Sequence, residues 1–350
     1  MKKYLYYLMP LSLLLILGSC FYTSEPYIPR PDPWLCSINA DGTGFRMIKK
    51  VDLSFGTTGF WDIYMTKDDR IIFYGEKLWI SETDTIRPIQ ITPDNLTLIH
   101  RPSRLSQSPD GSKLFFAADK NIYQLSYPDY KLTQLTTQSI RWLRNPIVSD
   151  LGNYLTYSSN GFGYPTKETE YMYWHNLITG ESDIIPSPDT VSFNPSYSEI
   201  ENYVYYEKAG LLRSKLDGSD RSTVDSRGGS MYPYSMFSIS KDQRYVAHLF
   251  NTTYNNYFIR VFDKESESGI NLPVKNDHAS RFIGVMCKDV NRVFYVSPGY
   301  PEKLHVYYLD TGEDTVILQS NSELSLAEFI NIAPTWDGSK VYFYAFVMVY

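Results

Sequence analysis

Ser106-Gln107-Ser108-Pro109-Asp110-Gly111-Ser112-Lys113-Leu114-Phe115-Phe116 is a polar corner flanked by alternating apolar residues. Serine, proline, aspartate and glycine suit a tight chain reversal, and alternation is the period of a half-buried strand. The stretch therefore reads as a β-hairpin. The same phrase recurs along the chain. Further corners begin near Lys67, Ser149, Ser198, Ser240, Lys288 and Trp336, the last running Trp336-Asp337-Gly338-Ser339-Lys340 into Val341-Tyr342-Phe343. Steps of about 41 to 49 residues between copies are those of four-stranded propeller blades.

A second hairpin follows each of the first six corners. Examples are Asn121–Leu125 to Leu132–Leu135, Leu211–Leu216 to Thr223-Val224, and the spans Tyr171–Ile185, Phe258–Leu272 and Leu304–Ile317. Asp-Gly and Thr-Gly pairs supply the turns. The hairpin Trp34–Ile48 has no corner before it, and the corner at Asp337-Gly338 has no second hairpin after it. Together these two orphans make one blade, which closes the ring and removes the open edges of a linear array. The expectation is an all-β, seven-bladed β-propeller closed by its N- and C-terminal hairpins. A six-bladed ring is the alternative, with the corner near Ser198 as the least regular unit.

The corner phrase, with the strand-turn phrases Ser37-Ile38-Asn39-Ala40-Asp41-Gly42-Thr43-Gly44 and Ser214-Lys215-Leu216-Asp217-Gly218-Ser219-Asp220-Arg221, resembles TolB-like and related WD40-like propeller repeats. The resemblance covers roughly residues 34 to 350. It lacks the Gly-His and Trp-Asp pairs of true WD40 blades and the double glycine of kelch repeats. It implies a fold and leaves activity open, since propellers host many unrelated functions.

The start of the chain reads as a processing signal. Lys2 and Lys3 precede the short apolar core Leu11–Leu17, and Gly18-Ser19 precede Cys20. That core is too short to span a bilayer. Leu17-Gly18-Ser19-Cys20 resembles the lipobox of bacterial lipoproteins, which implies lipidation of Cys20 and an exported envelope protein at the outer membrane. Prolines at 26, 29, 31 and 33 favour an extended tether. The domain reading is a signal peptide over 1–19, a Pro-rich tether over 20–33 and a propeller over 34–350. The lipid anchor is the expected membrane contact.

The 350 residues carry a formal net charge of −6, which becomes −8 once Lys2 and Lys3 leave with the leader. An acidic chain is ill suited to nonspecific nucleic-acid binding, which works by neutralising phosphates. The 31 tyrosines and 18 phenylalanines suit strands packed blade on blade. Cys36 and Cys287 fall in different blades and read as two buried thiols. No Cys/His spacing resembles a zinc site, so no metal and no cofactor is expected. The propeller is expected to be monomeric.

Chemistry-bearing motifs are sparse. Some related propellers precede a serine peptidase domain, but there is no Gly-x-Ser-x-Gly elbow here. The five histidines are scattered, and Asp68-Asp69 and Asp289 sit at corners, where carboxylates cap turns. The stronger grouping is cationic. The segments leading into the innermost strands carry His100-Arg101-Pro102-Ser103-Arg104, Arg141-Trp142-Leu143-Arg144 and His278-Ala279-Ser280-Arg281. Five arginines thus approach one channel mouth, and Trp142 or Tyr234 offers an aromatic face for stacking. Arginine's planar fork suits carboxylates and phosphates. The spans Ser158–Glu170, Asn251–Asn256 and Ser297–Lys303 read as enlarged loops on the same face, where binding commonly resides. The functional expectation is a noncatalytic envelope propeller that binds a protein partner or an acidic glycan at this mouth. The alternative is a lyase or hydrolase of acidic saccharides, and no catalytic residue is assigned.

Overall fold

The computed structural model describes residues 32–51, 62–83, 85–98, 105–137, 142–160, 171–187, 193–207, 210–227, 237–253, 256–277, 281–282, 284–320 and 326–347. All regular structure among them is β. Seven four-stranded antiparallel sheets follow one another in chain order. Blades 1 to 6 are built from residues 62–90, 106–134, 142–185, 193–225, 237–273 and 284–319. The seventh runs from Leu326–Pro334 through Lys340–Val347 and Asp32–Asn39 to Arg46–Lys50. Its register is continuous across the junction of chain ends, from Asp32 opposite Val347 to Asn39 opposite Lys340. The two orphan hairpins therefore do share a blade.

The corner near Ser198 belongs to a complete blade, with strands Phe193–Ser198, Tyr203–Glu207, Leu211–Ser214 and Ser222–Asp225. Its neighbour compensates for the missing Asp-Gly. Ser198 Oγ and the Glu199 N–H donate to Asp150 of the third blade, while Ser149 and Asn153 donate back to the Glu199 carboxylate. Ring count rests on this reciprocal clasp as much as on local turn chemistry.

The corners share a device that begins one residue earlier than the glycine-centred phrase suggests. Thr66, Ser108, Ser240 and Thr335 each accept from a backbone N–H across the corner and donate to an aspartate two residues on. The Ser108 hydroxyl is the main reason Asp110 is held down at about 2. Gly111 follows with φ of 82°, a conformation that side chains resist. Cys287 takes the hydroxyl's place in the sixth blade, with the same backbone pairing of its N–H to Arg292 O. Cys36 and Cys287 are both buried free thiols, and burial pushes Cys36 up to about 12.

Apolar side chains fill one cluster at each blade-to-blade seam. Among the described residues the seams differ greatly. Seventeen buried residues pack between blades 6 and 7, but only Tyr205, Leu211, Phe237 and Val246 between blades 4 and 5. That thin seam is where buried charge concentrates.

Candidate functional site: the channel mouth and the polar layer beneath it

All corners lie on one face of the ring, so the innermost strands begin on the other, which is the mouth face. Ser106, Trp142, Phe237, Gly284 and Leu326 mark these beginnings. The links from second to third strands open here too, and so do both chain ends, because Asp32 pairs with Val347. Trp142 is half-buried with the Lys120 ammonium 5.6 Å from its ring centroid, close enough for a cation–π contact. The turn that carries Lys120 is held by the Leu143 N–H to Lys120 O contact.

The enlarged spans are only partly loops. The strand that starts at Tyr154 continues to Asn160, and the hairpin of blade 5 runs on until Thr253 faces Asn256. The span 297–303 is a real connection and is firmly fastened. Ser320 and Glu302 exchange backbone and side-chain hydrogen bonds, and the Glu302 carboxylate accepts from the Phe329 N–H at 2.8 Å. Lys275 Nζ lies 2.7 Å from both Glu302 and Glu328. Burial raises the Glu302 carboxyl above its ordinary value, and Lys275 works against that shift. Tyr300, at the tip, is 91% exposed.

Of the arginines expected at the mouth, Arg144 is only 5% exposed, in the innermost strand of blade 3 opposite Ser158. It lies within the seam, where the strand departs from strict alternation. Arg281 pairs through its backbone with Asp277 in a small extra hairpin before blade 6. Cys20, His100, Arg101, Arg104, Arg141, Tyr234 and His278 lie outside the described residues.

Beneath the mouth runs a buried polar layer that the sequence reading missed. Asn145 Nδ2 donates to Asn194 Oδ1 at 2.8 Å, and Asn194 Nδ2 donates to Glu207 Oε2 at 3.0 Å. Glu207 Oε1 is 3.8 Å from His248 Nδ1, and both side chains are fully buried. Burial holds the imidazole neutral, pushed down to about 4. Asn145 and Asn194 adopt left-handed φ of 51° and 52° within bulges of successive innermost strands. Asparagine tolerates that region better than most residues. Each is followed by proline, whose missing N–H suits the broken ladder of a bulge. The repeated Asn-Pro, 49 residues apart like the neighbouring corners, was the available signal.

Next to this layer Arg260 Nε donates to Asp225 Oδ2 and Arg260 Nη1 to Asn271 Oδ1 at 2.8 Å. Both charged partners are buried in the thin seam between blades 4 and 5. Among the described residues no three His, Cys, Asp or Glu side chains converge as a metal site would require.

The chain is an all-β, seven-bladed propeller in architecture. Among solved structures it is similar to the oligogalacturonate lyase of Vibrio parahaemolyticus, with TM-score 0.60 and 12% identity over 91% of this chain and 99% of that one. It is also similar to a puromycin-hydrolyzing peptidase of Mycobacterium tuberculosis, with TM-score 0.58 and 14% identity over 85% of this chain and 52% of that one. TolB of Acinetobacter baumannii aligns with TM-score 0.48 and 12% identity over 73% of this chain and 62% of that one. No protein-family model and no curated protein matches the sequence. At such identities the likeness concerns the fold, which serves binding proteins and enzymes alike.

Proposed function

We propose that the protein is a noncatalytic binding propeller of the bacterial cell envelope, lipid-anchored through Cys20, whose mouth face takes up an acidic glycan or an acidic surface of an envelope protein. The observation that carries this reading is the aromatic and cationic make-up of that face. Trp142 lies under Lys120 at the start of an innermost strand, and a braced loop presents Tyr300. The adjoining chain segments contribute Arg101, Arg104, Arg141 and Arg281 in sequence. The Glu207–His248 pair in the layer beneath is fully buried, as suits a scaffold role.

Calorimetric titration with a uronic-acid hexamer, and with envelope extract fractions depleted of glycan, tests the proposal. Trp142→Ala and the double change Arg101→Gln/Arg104→Gln are expected to weaken binding several-fold without changing the melting temperature. Added salt should weaken it too, because exposed charge is screened over about 8–10 Å near physiological ionic strength. Shortened or unsaturated products from the hexamer would replace this reading with the lyase or hydrolase one.

A further inference from the structure

The thin seam between blades 4 and 5 opens at the rim into a cleft of about 580 Å³. Its walls are the third and outer strands of the two blades, and Arg213, Arg227, Arg260, Lys264, Asp225 and Glu267 supply its charge. Three of these are already neutralised. Arg260 and Asp225 pair with each other at the floor, and the Arg227 N–H donates to the second Asp225 oxygen. Lys264 Nζ is 2.7 Å from both oxygens of Glu201. What remains on the walls is Arg213 and Arg227 against Glu267. Among the described residues neither arginine is in an ion pair.

Arg213 is pre-set for binding. Its guanidinium lies 4.5 Å from the Tyr203 ring centroid and its Nε donates to Ser222 Oγ at 3.0 Å. A stacked, half-tethered guanidinium loses little freedom when it takes a carboxylate. Arg227 is exposed beyond the far end of the outer strand Ser222–Asp225, so the two cations are separated along the groove. Serines 222, 226 and 268 line the space between them with hydroxyls. A groove with spaced cations and intervening hydroxyl groups fits a linear ligand with repeating carboxylates and hydroxyls. Gly269 keeps the floor open, since a Cβ there would lie 2.9 Å from the Arg260 guanidinium carbon.

We propose that this rim cleft is a binding site for a linear acidic oligosaccharide, distinct from the channel mouth. The test titrates the full chain with a uronic-acid hexamer, a neutral glucose hexamer and inorganic phosphate. The wild-type protein should bind the acidic hexamer saturably and the neutral hexamer at least tenfold more weakly. Arg213→Gln/Arg227→Gln should weaken binding about tenfold, at up to about 1 kcal/mol for each exposed charge. Glu267→Gln should tighten it; Arg227 and Glu267 are exposed, and a melting curve of the Arg213 variant separates lost binding from lost folding. Phosphate that binds as well as the hexamer would overturn the saccharide assignment. Absence of hexamer binding, or binding lost in Trp142→Ala but untouched in the rim variants, would overturn the site. Binding lost only in the rim variants would leave the cleft standing and remove the glycan arm of the mouth reading.

Discussion

Deleting residues 335–350 is expected to abolish the native ring rather than trim it. The strand Lys340–Val347 is the second strand of blade 7 and pairs along its length on both edges, with Leu326–Pro334 and with Asp32–Asn39. It also packs on both faces. Val341, Phe343, Ala345 and Val347 belong to the seam with blade 6, and Tyr342 and Tyr344 to the seam with blade 1. Burying each large apolar side chain contributes roughly 1.5–3 kcal/mol. The five larger than alanine therefore contribute about 10 kcal/mol, as much as the roughly 5–15 kcal/mol that typically separates native from unfolded protein. The loss also exposes two strand edges, which favours aggregation. Size-exclusion chromatography with light scattering and denaturant unfolding would report it. A graded version is Phe343→Ala, whose ring is 5.4 Å from that of Phe329 and whose loss should cost about 3–5 kcal/mol. A truncated protein that remains monomeric and melts cooperatively at an unchanged temperature would refute the closure argument.

Three more outcomes follow from buried or terminal groups. His248 sits at about 4 in the folded state against about 6.5 unfolded, so the unfolded chain binds more protons between those values. Stability should be fully present above about pH 6.5 and fall toward pH 4 by up to about 3 kcal/mol, and His248→Gln should flatten that part of a stability–pH curve. If the curves of the two proteins run parallel, burial does not govern this histidine. Asp225→Asn should destabilise by about 3–5 kcal/mol by stranding the buried Arg260, and adding Arg260→Met should restore much of the loss. Equal stability of the single and double variants in urea would contradict that account. Cys20→Ala should move the protein from washed membranes to the soluble fraction, and mass spectrometry of the wild type should find acyl chains on Cys20; retention of the variant with no acylation of the wild type would end the lipoprotein reading.

The corners were legible because hydroxyl, aspartate and glycine act within a few residues of one another, and so was the ring, because two half-blades at the ends can complete only each other. Blade 4 was less legible because its corner is held from outside by Asp150 of blade 3. The mouth was harder still. An extra residue at Asn145 shifts the alternation of the third innermost strand, so a sequence period cannot say where Arg144 points. The Glu207–His248 and Asp225–Arg260 pairs join residues 41 and 35 positions apart, and only the seam between blades brings them together.

Because Asp32 and Val347 are opposite each other, the polypeptide enters and leaves the disc above the mouth. Cargo attached to either end therefore shares space with whatever binds there. The stretch from Cys20 to Asp32 can reach at most about 40 Å. With a lipid on Cys20, that length sets the headroom between bilayer and ring, and a bulky partner must slide in from the side. An affinity tag fused after Val347 would crowd the same space, whereas one inserted at the exposed Ile178–Gly180 turn on the corner face would leave it clear.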